Sequence, residues 1–139
     1  MNTSSQRVTY TLCTLISLVI FSPSSHANWT RFNEIDTEAV YVDLESIKAK
    51  GAVVSIWRLT DFIERQEPFT NPHESMQSLV HVDCQNNVLR NTYTFTYENQ
   101  MGTGQAREAF DTPNAIWEPV IPDSVADSLA KMLCTVVNQ

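Results

Sequence analysis

This sequence contains few of the residues from which metal centres and phosphate-binding sites are usually built. Its 139 residues include only 3 glycines, 3 cysteines and 3 histidines. It has no GxSxG, SxxK, CxxC or HExxH motif and no calcium-loop spacing among its carboxylates. The glycine pair in Met101–Gly104 lacks the lysine of a phosphate loop and is typical of a turn. These absences argue against nucleotide, zinc, calcium and serine-hydrolase chemistry.

Positive charge is also scarce. The chain has 16 acidic and 9 basic residues, with a net charge of −7. All 16 acidic residues and eight of the 9 basic ones follow Ala27, so residues 28–139 carry a net charge of −8. A domain this acidic repels a phosphate backbone, and nucleic-acid binding is therefore not expected. Solubility is the simplest explanation of the charge.

No apolar run is long enough to cross a membrane. The longest, Val8–Phe21, has 14 residues in the 139-residue chain, and a spanning helix needs about 20. Arg7 precedes this run, and the small residues Ser25 and Ala27 follow it at the −3 and −1 positions of a signal peptidase site. We predict a signal peptide over residues 1–27, cut between Ala27 and Asn28, and a single domain over residues 28–139. A retained membrane anchor is the alternative.

Two cysteines, Cys84 and Cys134, follow the predicted cut. An even number of cysteines in an oxidising compartment favours a disulfide between them, and two buried free thiols are the alternative. Two cysteines alone cannot supply the four ligands of a structural zinc site. Cys13 lies inside the apolar run and not directly after the cut, so lipid attachment is not predicted.

Alternating apolar and polar residues predict an antiparallel sheet. The predicted strands are Asn28–Ile35, Val40–Leu44, Ala52–Phe62, Met76–Cys84, Val88–Glu98 and Gln105–Phe110. Between them, Glu45–Lys50 has the composition of one helical turn, and Ile63–Ser75 is a polar loop broken by prolines.

The same alternation assigns side chains to the two faces of each strand. Val80 and Val82 share a face with Cys84, and His81 shares the opposite face with Asp83. In the following strand one face is predicted to carry Leu89, Tyr93, Phe95 and Tyr97.

One helix is predicted near the C-terminus. Pro122 precedes it, Asp123 or Ser124 caps it, and Asp127 completes an imperfect capping box with Ser124. Its apolar stripe is predicted to contain Val125, Leu129, Met132, Leu133 and Val136, widened by Ala126, Ala130, Cys134 and Val137. A single amphipathic helix must bury its apolar face on the sheet, which gives a two-layer α+β fold.

The remaining candidates for chemistry are few. His81 and Asp83 can form an acid–base pair or part of a metal site, although a histidine at the rim of a sheet is the commoner arrangement. His73 and Glu74 are neighbours in the predicted loop. The tryptophans Trp29, Trp57 and Trp117 can stack on sugars or peptides, but core packing is commoner for tryptophan in a small domain. We therefore assign no catalytic, cofactor-binding or metal-binding residue.

An ordered set of residues resembles the surface-adhesin protein E-like domain family of Gram-negative bacteria. The set comprises Trp29, Val40–Leu44 with Ile47, Gly51 followed by Val54 and Trp57–Leu59, Ser75 through Asp83 and Cys84, the turn Met101–Gly104, and a closing series of Trp117, Pro119, Val120, Pro122, Ser124, Leu129 and Cys134. The resemblance implies a six-stranded antiparallel sheet with one C-terminal helix, tied by a disulfide to the concave face of the sheet.

The resemblance also implies a function. The family's named adhesin lies on the outer surface, dimerises, and binds host matrix and plasma proteins. This sequence has no lipobox cysteine at the predicted cut, so a periplasmic or secreted protein is expected in preference to one anchored on the outer surface. The first hypothesis is a non-catalytic module that binds host matrix or envelope proteins, without a cofactor. The alternatives are a periplasmic protein that binds a small or peptide ligand in the groove between helix and sheet, and a hydrolase built on His81 and Asp83. A homodimer is left open.

Overall fold

The computed structural model describes residues 27–66 and 72–137. The predicted signal peptide, except for Ala27, lies outside these residues, and Ala27 and Asn28 are both exposed. Within the described ranges, no helix has the length and apolar character needed to cross a membrane.

The described chain forms one antiparallel sheet and one helix, which confirms the predicted α+β fold. The sheet is a meander of six strands in which strands consecutive in sequence are neighbours in the sheet. The strands are β1 (Trp29–Glu34), β2 (Glu38–Lys50), β3 (Val53–Gln66), β4 (His73–Asp83), β5 (Val88–Asn99) and β6 (Thr103–Asp111). A two-residue strand, β7 (Glu118–Pro119), pairs with the start of β5, and the helix α1 spans Val125–Val137.

The predicted helical turn at Glu45–Lys50 is wrong, because β2 continues through this stretch. The register between β2 and β3 shifts between Asp43 and Lys48, which marks an irregularity that absorbs the extra residues. Asp43 accepts a hydrogen bond from the Glu45 N–H through Oδ1 at 3.1 Å. Ser46 Oγ donates to the Asp43 carbonyl at 2.6 Å and accepts from the Trp57 N–H at 2.9 Å. Local polar bonds therefore satisfy the irregular backbone without a helix.

The predicted loop Ile63–Ser75 is shorter than expected. β3 continues to Gln66 and β4 begins at His73. Arg65 pairs with Glu74 at 3.0 Å, and the ring of buried His73 packs edge-on against Phe62 with centroids 5.7 Å apart. Cross-strand contacts therefore extend the hairpin into a polar segment whose composition predicted a loop.

The predicted faces of β5 are wrong for Leu89, because β5 contains a bulge at Thr92. Val80 pairs with Asn91, whereas Leu79 pairs with Tyr93, so Thr92 is an extra residue in β5. An extra residue reverses the alternation beyond it. Leu89 therefore shares a face with Val82, and the aromatic residues Tyr93, Phe95 and Tyr97 lie on the opposite face of the sheet.

Helix α1 packs on the face of the sheet that carries Val54, Ile56, Val80 and Val82. The buried core is entirely aliphatic and consists of Val42, Val54, Ile56, Val80, Val82, Val120, Leu129, Ala130 and Leu133. The predicted helical stripe is confirmed at Leu129 and Leu133 and at Ala130, one of the residues expected to widen it, but Val136 is 39% exposed. The buried stripe is therefore rotated towards the small residues of the helix.

The start of α1 is capped as the sequence predicts. The Asp127 N–H donates to Ser124 Oγ at 3.1 Å, which makes Ser124 the cap. Asp127 Oδ2 accepts from the Asp123 N–H at 3.0 Å and also binds Lys131 Nζ at 2.7 Å. Asp123 has a φ of 61°, so the chain turns sharply before the helix begins.

The predicted disulfide is confirmed. It joins Cys84, directly after β4, to Cys134 in the last turns of α1, with a Cα–Cα distance of 5.5 Å and a sequence separation of 50. Both cysteines pack against the aliphatic core. The bridge therefore fixes the helix to the end of β4, one of the two middle strands of the sheet.

Candidate functional site

No helix covers the second face of the sheet in the part of the chain that the structure describes. We call this the open face. It carries Ser55, Trp57 and Leu59 of β3 together with the residues paired to them, because directly opposite residues of antiparallel strands project to the same side. The open face contains two concave regions that adjoin each other along β3.

The first region, the aromatic groove, has a volume of about 340 Å³. Its walls are Ala27, Trp29, Asp43, Glu45, Trp57, Gln77, Phe95 and Tyr97. The rings of Trp57 and Phe95 are tilted by 35° with centroids 6.1 Å apart. Tyr97 Oη donates to Gln77 Oε1 at 3.3 Å. The four aromatic side chains are half-buried, so each leaves part of its ring accessible at the surface.

Strand register brings the groove together. Trp29 lies opposite Asp43, which lies opposite Trp57, and on the neighbouring strands Gln77 lies opposite Phe95. The tryptophans therefore do not belong to the buried core, so the expectation that they pack in the core is wrong. The gap between helix and sheet is filled by aliphatic side chains, and Trp29, Trp57, Phe95 and Tyr97 lie on the other side.

The second region, the basic pocket, has a volume of about 600 Å³. Its walls are Lys48, Lys50, Val53, Ser55, His81, Arg90 and Trp117. Lys48, Ser55, His81 and Arg90 form one row across four strands, since each is the direct partner of the next. The pocket was not predicted from sequence, because its cations come from β2 and β5 and only the register of the sheet aligns them.

Arg90 and His81 are both held in place at this pocket. The Arg90 guanidinium carbon lies 4.4 Å from the centroid of the Trp117 ring, a cation–π contact. His81 Nε2 lies 2.9 Å from the Thr92 hydroxyl. Burial, with a further contribution from Arg90, lowers the pKa of His81 below its usual 6.5. His81 is therefore neutral at pH 7, and the pocket takes its charge from two lysines and one arginine.

The structure does not join His81 and Asp83 into an acid–base pair. Asp83 Oδ1 accepts from the Gln85 and Asn86 N–H groups at 3.0 and 3.2 Å, and its Oδ2 accepts from Asn86 Nδ2 at 2.7 Å. Asp83 thus holds the turn between β4 and β5, and the Asn86 amide lowers its pKa. Among residues 27–66 and 72–137, no group of three or more His, Cys, Asp or Glu side chains is placed to hold a metal ion.

The predicted turn around Met101–Gly104 is confirmed, and two buried residues hold it. Asp61 Oδ1 accepts from the Met101 N–H at 2.6 Å, and Ser75 Oγ accepts from the Gly102 N–H at 3.0 Å. Met101 and Gly102 have φ values of 57° and 64°, and a side chain at position 102 would displace the amide of Gln77. Burial raises the pKa of Asp61, although the Met101 N–H acts in the opposite direction. These contacts make the turn structural.

The groove predicted between helix and sheet does not open into a cavity. Leu129 and Leu133 are 1% and 0% exposed, and they close the space against Val54, Ile56 and the valines of β4. A ligand site there would require these side chains to separate.

The family model for surface-adhesin protein E matches residues 29–135. The chain belongs to this family. The match spans every strand and nearly all of the helix, so it includes both regions of the open face. The expectation of a surface-adhesin protein E-like domain is thereby confirmed. No curated protein matches this chain in sequence.

Solved structures of Haemophilus influenzae protein E are similar to this chain. One crystal form has a TM-score of 0.63 and 18% identity, and the match covers 82% of this chain and 92% of that one. A second structure has a TM-score of 0.61 and 17% identity, with 81% and 87% covered. The protein from non-typeable Haemophilus influenzae has a TM-score of 0.59 and 17% identity, with 82% and 80% covered. At these identities the likeness establishes the fold.

Proposed function

We propose that residues 28–139 form an exported, non-catalytic module that binds a polypeptide partner through the aromatic groove. The observation that carries the proposal is the cluster of four half-buried aromatic side chains on the face that the helix leaves open. Accessible tryptophan and tyrosine rings in a shallow groove are the residues that contribute most to protein–protein binding. The family's description as a surface adhesin supports the same function. Host matrix proteins are the partners that this description favours.

The acidic side chains at one end of the groove add direction to this recognition. Asp43 and Glu45 line the groove beside Trp29 and Trp57. Carboxylates and aromatic faces both attract cations. A partner segment with a basic residue among apolar ones therefore fits this end of the open face.

Loss of binding from single substitutions in the groove tests the proposal. Immobilised fibronectin, laminin and collagen serve as probes, and the chain is purified from the periplasm of an expressing Gram-negative host. We expect Trp57→Ala and Trp29→Ala each to weaken binding to the responsive probe by about ten-fold or more, as is typical of central aromatic residues.

Phe110→Ala is the matched control, because Phe110 is an aromatic residue on the helix-side face, opposite Thr94. It should leave binding unchanged. Thermal unfolding of each variant separates loss of binding from loss of fold, and Trp29 on edge strand β1 is the less disruptive substitution. Equal binding by wild type, Trp29→Ala and Trp57→Ala would remove the groove as the site.

Export is tested on the same material. We propose that residues 1–27 direct export and are removed, and that the product is released in soluble form because no lipobox cysteine follows the cut. Intact mass spectrometry of the periplasmic protein should show a chain that begins at Asn28. Ala27→Phe should block cleavage, because a bulky residue at −1 is not accepted. A protein that is found in the membrane fraction with residues 1–27 still attached would contradict export by a cleaved signal.

A further inference from the structure

The basic pocket concentrates cations in a chain with an excess of acidic residues. Within the described residues, Arg31, Arg65, Arg107 and Lys131 each form an ion pair with a carboxylate. Lys48, Lys50, Arg58 and Arg90 form none in the same part of the chain. Arg58 lies opposite Val42 on the helix-side face, and the other three line this one pocket. Like charges that share a pocket without carboxylates repel one another, so their grouping costs stability when the pocket is empty.

Arg90 is held in position but incompletely bonded. One face of its guanidinium lies on Trp117, and Nη1 is 3.5 Å from the Ala115 carbonyl. Its Nε is buried and has no hydrogen-bond partner among the described residues. A buried donor without an acceptor is costly, whereas a guanidinium that meets a carboxylate can satisfy two donors at once. The pocket therefore has the charge and the donors that an oxyanion requires.

The carboxylate that shares this face of β4 with His81 is already bonded. Asp83 is next to His81 on that face of β4, but both its oxygens bind the turn at Gln85 and Asn86. His81 adds no charge at pH 7 and presents its Nε2 to Thr92. The pocket is thus available to an external anion.

We propose that the basic pocket binds one carboxylate of the polypeptide partner, held by Arg90 and the two lysines, with a neighbouring apolar side chain on the Trp117 ring. This proposal rests on the proposed function, because the pocket adjoins the aromatic groove through Ser55 and Trp57, two positions apart on β3. A single carboxylate fits better than a polyanion, since the net charge of −8 on residues 28–139 repels a long anionic chain. The carboxylates of the groove and the lysines of the pocket follow one another along β2, so the open face offers a partner segment opposite charges in two adjoining regions.

The test uses three small probes titrated into isotope-labelled protein and followed by NMR. N-acetyl-phenylalanine presents a chain-terminal carboxylate, N-acetyl-phenylalanyl-glutamic acid α-amide presents a side-chain carboxylate, and N-acetyl-phenylalaninamide is neutral. We expect an acidic probe to shift the resonances of Lys48, His81, Arg90 and Trp117, and to bind about ten-fold more tightly than the neutral probe. The acidic probe with the higher affinity shows whether the partner supplies a chain-terminal or a side-chain carboxylate.

The double variant Lys48→Gln/Lys50→Gln should reduce the affinity for the acidic probe about ten-fold and leave the neutral probe unchanged. Lys131→Gln, which removes one lysine of the helix, is the control for a loss of positive charge outside the pocket and should have no such effect. Equal binding of acidic and neutral probes, or an equal loss in Lys131→Gln, would overturn the proposal. Stronger binding of a sulfated disaccharide than of either acidic peptide would also overturn it.

The two proposals fail separately. If the acidic probes bind the pocket but the double variant binds the responsive matrix protein as well as wild type does, the partner does not use the pocket and this inference is wrong. The proposed function is then still judged by Trp29→Ala and Trp57→Ala. If those groove variants bind normally, the proposed function is wrong, whatever the probes show.

Discussion

Replacing both bridged cysteines by serine is expected to lower the free energy of unfolding by about 4 kcal/mol, in line with the loop-entropy estimate for a bridge of this span. The bridge joins positions separated by 50 residues, so its loss releases a long segment of the unfolded chain from a constraint. A domain of this size has a total stability of roughly 5–10 kcal/mol. Chemical denaturation of wild type and Cys84→Ser/Cys134→Ser, followed by circular dichroism, measures the difference.

Reduction provides the control for the serine variant. Dithiothreitol should lower the midpoint of thermal unfolding of the wild type by on the order of 15 °C. The same treatment should leave Cys84→Ser/Cys134→Ser unchanged. A reduced wild type that unfolds at the temperature of the oxidised protein would mean that the aliphatic core alone holds the helix.

Leu133→Ala should cost about 3 kcal/mol, within the range measured for leucine-to-alanine substitutions in closed cores. Leu133 is fully buried between α1 and the valines of the sheet, so its truncation leaves a cavity. The helix cannot shift to fill this cavity, because the disulfide holds it in place. Urea denaturation with the bridge intact measures the loss.

Val136→Ala is the matched control for this substitution. Val136 lies three residues further along the same helix and is 39% exposed, so its truncation should change the free energy of unfolding by less than about 0.5 kcal/mol. Equal effects at the two positions would mean that, in solution, the side of α1 that carries Leu129, Ala130 and Leu133 is not the side that packs on the sheet.

The sequence predicts the sheet and the helix because their signals are local. Alternation in β4 and helical spacing at Leu129 and Leu133 each depend only on neighbouring residues. The capping contact between Ser124 and Asp127 is likewise encoded within one turn. Two cysteines in an exported chain allow one pairing, so the disulfide was also predictable.

The candidate site was harder to predict, because it depends on register. A single extra residue, Thr92, moves Tyr93, Phe95 and Tyr97 to the face opposite Leu89. No local signal near Thr92 marks the bulge. The row from Lys48 to Arg90 joins residues up to 42 positions apart, and only the pairing of four strands aligns them. Function in this fold therefore resides in cross-strand relations that a single sequence does not display.

The segment enclosed by the bridge contains β5, β6, β7 and most of α1. If residues 1–27 direct export as proposed, the chain crosses the membrane from its N-terminus onwards, and Cys84 then emerges 50 residues ahead of Cys134. Within residues 28–139 there is no other cysteine with which an oxidase can join it in the meantime. The order of emergence thus prevents intramolecular mispairing of Cys84. The disulfide can form only after the helix that carries Cys134 has crossed the membrane.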